Sequence, residues 1–191
     1  MIVTSHSNNV LSGMSGGWRV WSLSDGYLEM PADLLRDPQN NPVPQAAQAG
    51  VLRLSVNCFA LAGPGVDGVL IDSGGGGWAL TVGRLEQTMA EAMIDPASIT
   101  VLALTHTHQD HVHGLLTPDG RVLFPNLTVI VIPEAAVESF FAEAHLAQFR
   151  PSLMPFSARP KATRESFHPM MSVLVTRAAS SWPMRSFSRF M

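Results

Sequence analysis

The feature that most constrains this chain is an apolar run that ends in a cluster of metal-binding side chains. Residues 99–104 read Ile-Thr-Val-Leu-Ala-Leu, a composition that predicts a buried strand. The next ten residues contain four histidines and an aspartate: His106, His108, Asp110, His111 and His113. A strand that ends in this way places imidazole and carboxylate groups at one rim of a sheet, where a metal ion and a substrate can both reach them.

The spacing His-x-His-x-Asp-His indicates a site for more than one ion. Alternate residues of an extended chain point the same way, so His106 and His108 can share one metal. Asp110 and His111 lie on the turn that follows and can face a second metal. Imidazole and carboxylate suit zinc and its first-row neighbours, and a two-metal site makes hydroxide from water at neutral pH. The alternative, surface histidines in a polar loop, fits four donors at this spacing poorly. His113 lies outside the pattern and is expected to line the pocket or to orient a ligand.

Composition limits the classes to which the chain can belong. It has 191 residues, enough for one domain with a core, and its 46% hydrophobic and 14% charged content is globular. The net charge of −3 gives no electrostatic case for nucleic acid. No apolar run is long enough for a membrane span, the N-terminus lacks the pattern of a signal peptide, and Cys58 is the only cysteine. We therefore expect a cytoplasmic protein that acts on a small molecule, with neither nucleic acid nor a membrane as partner.

Apolar patterning predicts a small set of elements on both sides of the motif. Beside the metal strand, the predicted strands are 18–23, 51–61, 68–71 and 128–132, and 173–175 is the only strand-like piece beyond residue 151. The predicted helical segments are 31–35, 78–93, a turn that starts at Asp95-Pro96, and 133–149. Asp25-Gly26 is expected to turn the chain after the first strand, 37–50 to form a loop, and residues 1–17 to be a flexible N-terminus.

These segments resemble the metallo-β-lactamase superfamily. The motif at 105–114 is similar to its metal-binding signature, and the hairpin strand 57–61, the segment 69–74 and the following helix fit in order. The segment Ser-Asp-Gly-Tyr-Leu-Glu-Met-Pro at 24–31 is similar to the methyl parathion hydrolase and lactonase-like branch. The resemblance covers residues 18–150 and implies an α/β fold, the αββα four-layer sandwich, of which this chain would hold the N-terminal half.

The resemblance also implies roles for individual residues. His106 and His108 match ligands of a first zinc ion, and Asp110 and His111 match ligands of a second, with Asp110 also near the attacking water as a catalytic residue. Asp72 matches the acidic residue that orients the metal loop, although a simple turn aspartate is the alternative. The glycines 74–77 lack the Gly-Lys-Ser/Thr ending of a phosphate loop and are expected to form a tight turn. The implied activity is hydrolysis of an ester, lactone or phosphotriester with two Zn²⁺ ions, or other divalent first-row metals, per complete site.

The C-terminal part departs from the superfamily's pattern. Members are longer, and their second half supplies a third histidine for the first metal, a bridging aspartate and a final histidine. The only later histidines here, His145 and His168, stand in other contexts. Residues 151–191 are atypical, and the codons permitted at 161–163 and 182–191 allow a shifted frame that encodes Gly-His and a strand with an aspartate. We therefore expect a truncated or frame-shifted chain with weak or no activity, prone to dimerise or aggregate through an uncovered sheet.

Three alternatives to this function stay open. The chain can be a non-catalytic metal-binding or interaction remnant, a glyoxalase-type thioester hydrolase, or an enzyme with iron-based oxidation chemistry. A hydrophobic pocket can use Trp78, Met30 or Phe149, although each of them also suits a core position.

Overall fold

The computed structural model describes residues 3–44, 50–133 and 136, together with the backbone of 156–158 and 171–176. Within these residues nine strands form one mixed sheet in the order β1-β2-β3-β4-β5-β6-β7-β9-β8. The strands are β1 (Val3–Ser5), β2 (Val10–Ser15), β3 (Trp18–Pro31), β4 (Val51–Gly63), β5 (Val66–Ile71), β6 (Val101–Ala103), β7 (Val129–Pro133), β8 (Phe156–Ala158) and β9 (Met171–Thr176). β5, β6 and β7 run parallel, and all other neighbours pair antiparallel.

The helical elements of the described residues are short. They are the α-helices α1 (Leu85–Glu91) and α2 (Gln109–Val112) and the 3-10 turns Ala32–Leu34, Pro96–Ser98 and His113–Leu115. Asp95 caps the second of these turns, because its side chain accepts from the Ala97 N–H at 2.8 Å. None of the described helices is long and apolar enough to cross a membrane.

Several predicted elements are confirmed. β4 and β5 form the hairpin predicted at 51–61 and 68–71, β7 matches the strand predicted at 128–132, and Pro96–Ser98 is the helical turn predicted after Asp95. The strand predicted at 99–104 is present but shorter, the segment 31–35 contributes a 3-10 turn, and 173–175 lies within β9. The helix predicted at 133–149, with His145 and Phe149, lies almost entirely outside the described residues, as do His168 and the end of the tail.

Four sequence predictions differ from the structure. The segment 173–175 is not the only strand beyond residue 151, since β8 (Phe156–Ala158) pairs with β9. The N-terminus expected to be flexible forms β1 and β2. The turn predicted at Asp25-Gly26 is wrong, since β3 continues to Pro31 and its register with β4 only shifts between Ser24 and Gly26. The helix predicted at 78–93 is too long, because Gly83 has a φ of +90° and a Cβ there would lie 2.0 Å from the Gly76 carbonyl oxygen. That close approach holds the chain in a loop until Leu85.

The core lies on one face of the sheet. Leu70, Leu102 and Ile130 are directly paired across three strands and fully buried. Leu85 and Met89 of α1 belong to the same buried cluster. On the opposite face Leu11 and Phe59, which lie on either side of Ser22 in the register, are 46% and 40% exposed. The sheet is therefore well covered on one side and partly open on the other.

Candidate metal centre

The carboxyl ends of two parallel strands bring the site together. Ile71 at the end of β5 pairs with Ala103 at the end of β6, so Asp72 and the segment that starts at Thr105 leave the same edge of the sheet. The Asp72 N–H donates to the Ala103 carbonyl at 2.9 Å. Asp72 has a φ of 56°, a left-handed conformation that few residues other than glycine adopt.

The Asp72 carboxylate contacts both Thr105 at the start of the motif and His111 in α2. It accepts hydrogen bonds from the Thr105 N–H and the Thr105 hydroxyl, both at 2.8 Å. The oxygen that accepts from the hydroxyl also lies 2.9 Å from Nδ1 of His111. Asp72 is only 6% exposed, so these contacts are largely shielded from water. This is the arrangement of a carboxylate that orients a histidine, with the other ring nitrogen of His111 turned away from it.

The segment after the motif is fixed against the chain that follows β5. The Ser73 N–H and hydroxyl both donate to the His111 carbonyl, at 2.8 and 2.9 Å, and the Gly114 N–H donates to the Gly74 carbonyl at 2.9 Å. A Cβ on Gly114 would lie 1.6 Å from the Ser73 carbonyl oxygen. The two backbones therefore approach more closely than any side chain allows.

The four predicted ligands lie close together as two pairs. Nε2 of His106 is 3.1 Å from Nδ1 of His108, and Nε2 of His111 is 3.3 Å from an Asp110 carboxylate oxygen. Two ligand atoms on one tetrahedral zinc ion, with bonds of about 2.0–2.1 Å, are roughly 3.3 Å apart. Each pair thus has the separation of two ligands on a shared ion. Among the residues that the structure describes, no three such side chains form a group that could hold a metal ion.

The two histidines that face each other differ in proton affinity. The ring centroids of His106 and His111 are 3.9 Å apart. Burial lowers the pKa of His106, and the neighbouring His111 and His108 lower it further. Burial alone would also lower the pKa of His111, but its hydrogen bond with Asp72 and the charges of Asp72 and Asp110 raise it above the ordinary value. In the metal-free chain His111 therefore keeps its proton to higher pH than His106 does.

His113 lies in a different environment from the four ligands. Its ring is 8% exposed and meets the Trp78 ring edge-on, with centroids 6.4 Å apart. Both side chains line a cavity of about 350 Å³ together with Gly77, Leu116, Thr117, Pro118 and Gly120. Trp78 thus lines a pocket rather than the core, whereas Met30 is a half-buried residue of β3.

Sequence reasoning missed Asp25, which is fully buried. One of its carboxylate oxygens accepts from the Gly75 and Gly83 N–H groups at 2.8 and 3.0 Å, and the other accepts from the Leu85 N–H at 2.8 Å. Burial raises the pKa of this carboxyl, and the backbone donors offset part of the rise. The signal that could have found it is a charged residue two positions after Leu23, in the inward phase of an alternating strand.

The sequence matches no protein-family model and no curated protein. The structure is similar to AidC, a dizinc quorum-quenching lactonase in complex with a product, at 21% identity and a TM-score of 0.59, over 71% of this chain and 48% of that one. It is also similar to the hydrolase AbOPH of the beta lactamase superfamily, at 22% identity and a TM-score of 0.58, over 78% of this chain and 58% of that one. A probable metal-dependent hydrolase from Staphylococcus aureus matches at 18% identity and a TM-score of 0.52, over 70% of this chain and 52% of that one.

These likenesses concern the fold. The α/β fold of metallo-β-lactamase type, predicted from the motif and its flanking segments, is confirmed. This chain spans about half the length of the solved structures that it matches. The division into 1–17, 18–150 and 151–191 stays a prediction.

Proposed function

We propose that this chain carries the metal-binding half of a zinc-dependent hydrolase that cleaves an ester, lactone or phosphotriester. The observation that supports this most directly is the pair of donor separations, 3.1 Å for His106 and His108 and 3.3 Å for His111 and Asp110. Both pairs lie at the carboxyl edge of parallel strands, where substrates reach open α/β sheets. The fold shared with a lactonase and with other hydrolases adds to that support.

The residues of the motif and Asp72 would have different roles in this centre. His106 and His108 would hold one ion, and Asp110 and His111 would hold the other. Asp72 would keep His111 oriented through the 2.9 Å contact with its Nδ1. Asp110 is also assigned the catalytic role, since a carboxylate at this position can accept a hydrogen bond from the attacking water. When bound, zinc supplies a water of lowered pKa and a Lewis acid for the carbonyl or phosphoryl oxygen.

Ligand number sets the expected strength of this site. The described residues provide two ligands for each ion, whereas a catalytic zinc in a protein has three and a structural zinc has four. Metal affinity follows ligand count and geometry, so a centre with these ligands alone should bind zinc weakly and turn substrate over slowly.

A metal titration tests the proposal. Calorimetric titration of the metal-free chain with Zn²⁺ should show two bound ions, of which the double variant His106→Ala/His108→Ala loses one. The matched control is His6→Ala, since His6 contacts Ser12 at 2.7 Å between β1 and β2, far along the sequence from the motif. Retention of both zinc ions in the double variant would rule out the assigned centre. Tight binding of two zinc ions with rapid hydrolysis would contradict the weak site.

A non-catalytic metal-binding or interaction domain is the second candidate. The two-ligand sites favour it, because an ion held by so few groups is bound weakly, whereas a catalytic zinc keeps three protein ligands. Zinc-saturated protein assayed on lactones, aryl esters, phosphotriesters and thioesters separates the candidates. Zinc-dependent turnover of any of them that His108→Ala abolishes supports the enzyme, and the preferred substrate distinguishes a lactonase from a glyoxalase-type thioesterase. Binding without turnover supports the second candidate.

A further inference from the structure

We propose that Asp25 is a positioning residue for the metal centre, acting through the glycine loop 74–77 on the segment that carries His111 and His113. This inference rests on the proposed function, because it concerns the same site. Asp25 precedes the motif by about eighty residues, and its carboxylate is directed at backbone N–H groups rather than at the motif.

Asp25 contacts the glycine loop directly. Its buried carboxylate accepts the N–H of Gly75 in the loop and the N–H groups of Gly83 and Leu85 at the start of α1, so it joins two segments of the chain. The Arg84 N–H adds a fourth contact to the Asp25 carbonyl at 3.1 Å. A Cβ on Gly74 would lie 2.5 Å from the carboxylate carbon. The loop therefore lies directly against this side chain.

The same loop contacts the motif. A Cβ on Gly76 would lie 2.4 Å from the His113 carbonyl oxygen, and the Gly74 carbonyl accepts from Gly114 at 2.9 Å. Ser73, the residue before the loop, holds the His111 carbonyl with two hydrogen bonds. The loop is thus a single layer of backbone between Asp25 on one side and residues 111–116 on the other.

The loop also connects Asp25 to the cavity that Trp78 and His113 line. The Gly75 peptide donates its N–H to Asp25 at 2.8 Å, and the Gly75 carbonyl accepts from the Trp78 N–H at 2.9 Å. Trp78 in turn lines the cavity together with His113. A shift of Gly75 therefore moves the cavity wall as well as the backbone that holds His111.

Glycine makes this loop depend on an external restraint. A run of four glycines has far more backbone freedom than other sequences, and buried N–H groups must find acceptors. Without the Asp25 carboxylate, the loop has the freedom to turn the Gly75 N–H elsewhere. The carboxylate therefore selects the one loop conformation that fits beneath the motif.

Two variants of similar expected destabilisation separate positioning from stability. Asp25→Asn keeps the size of the side chain and replaces one acceptor oxygen by an NH₂ group. Leu23→Ala removes a fully buried side chain of the same strand that belongs to the core cluster. Co²⁺ is the probe, and its visible spectrum and dissociation constant are measured at a temperature where circular dichroism shows each variant folded. We expect Asp25→Asn to weaken Co²⁺ binding about tenfold and to change the spectrum, as loss of a ligand's supporting contacts does. Leu23→Ala should retain the wild-type spectrum and affinity.

The outcomes are distinguishable. A folded Asp25→Asn protein with wild-type Co²⁺ spectrum and affinity overturns the inference. If wild-type protein binds no Co²⁺, the proposed function fails, and exchange of the Gly114 amide in the metal-free protein still decides the coupling. That amide should exchange faster in Asp25→Asn than in Leu23→Ala, and equal rates overturn the inference. If Asp25→Asn does not fold, Gly74→Ala, which presses on the carboxylate without removing it, must reproduce the Co²⁺ effect or the inference is wrong.

Discussion

At the scale of single residues, two aspartates are almost inaccessible to water. Asp25 is 0% and Asp72 is 6% exposed, and both carboxylates accept backbone N–H groups. Burial of a carboxylate is costly unless donors replace the lost water. The resemblance to the metallo-β-lactamase superfamily implied that Asp72 orients the metal loop, and its place directly after a parallel strand brings it beside the histidines. The spacing of the motif could not predict Asp25, whose donors lie 50 to 60 residues away along the chain.

Removal of the Asp25 carboxylate should be strongly destabilising. Asp25→Ala leaves three backbone N–H groups without their acceptor, and each buried donor left unsatisfied costs about 1–3 kcal/mol. We expect the free energy of unfolding in urea to fall by about 3 kcal/mol or more. Asp33→Ala, at an exposed aspartate, should change it by less than about 0.5 kcal/mol. Equal losses for the two variants would show that the buried contacts contribute nothing.

The raised pKa of His111 predicts a pH dependence in the metal-free protein. A histidine whose folded-state pKa lies above its ordinary value of 6.5 stabilises the fold fully below that value. The contribution is lost as pH rises through the folded-state pKa. NMR titration of the imidazoles should show His111 protonated to higher pH than His106, and Asp72→Asn should bring the His111 midpoint down. The reverse order of midpoints would contradict the assigned contacts.

Cys58 should be inert in the folded protein. It is fully buried on β4, and burial raises its pKa well above the ordinary value, so little thiolate forms and reagents have no access. Ellman's reagent at pH 8 should react with Cys58 only as fast as the protein unfolds, and rapidly in urea. A fast reaction under native conditions would mean that β4 opens readily.

At the scale of elements, strands that the sequence predicted well are those with continuous apolar patterning, such as β4, β5 and β7. β3 and α1 were predicted less well, for a shared physical reason. The continuation of β3 past Asp25 and the start of α1 at Leu85 both occur where segments 24–27, 74–77 and 81–85 meet, through contacts such as the 3.0 Å hydrogen bond from the Tyr27 N–H to the Thr81 carbonyl. Local periodicity carries no information about such a meeting point.

The close contact between the 3-10 turn His113–Leu115 and the backbone at Ser73 can be tested at Gly114. Gly114→Ala forces a Cβ to within 1.6 Å of the Ser73 carbonyl oxygen, so the two segments must separate. We expect a loss of roughly 3 kcal/mol in stability, the range of overpacked sites, and weaker zinc binding. Gly120→Ala is the control, because its φ of +83° is strained but nothing lies within 4 Å. It should cost only about 1 kcal/mol and leave zinc binding unchanged. Comparable effects would remove the case for a close contact at Gly114.

At the scale of the whole molecule, the two faces of the sheet are unequal. The face opposite the core carries Leu11 and Phe59, which are both about half exposed, although Val101 and Val129 on the same face are buried. Contiguous exposed apolar surface on a sheet favours association with another surface. We therefore expect the dimerisation or aggregation predicted from the sequence to occur at the sheet face that carries Leu11 and Phe59.

Self-association should depend on this outer face. Phe59→Ser removes a side chain that is 40% exposed there, and light scattering after size exclusion should show a smaller associated fraction. Leu80→Ser, at a fully exposed residue outside the sheet, is the control for general loss of apolar surface and should leave association unchanged. If both variants reduce association equally, the sheet face is not its cause.

The motif contacts Asp25 through the glycine loop. This arrangement limits how the centre can be grafted onto another protein. A peptide cut at 99–133 keeps all four proposed ligands but loses Asp72, Ser73, the glycine loop and Asp25. Grafted onto a foreign strand, the same histidines would gain a scaffold without the backbone layer that fixes their orientation. The smallest transplantable unit is therefore a discontinuous one, three stretches of chain that have to be copied together with the distances between them.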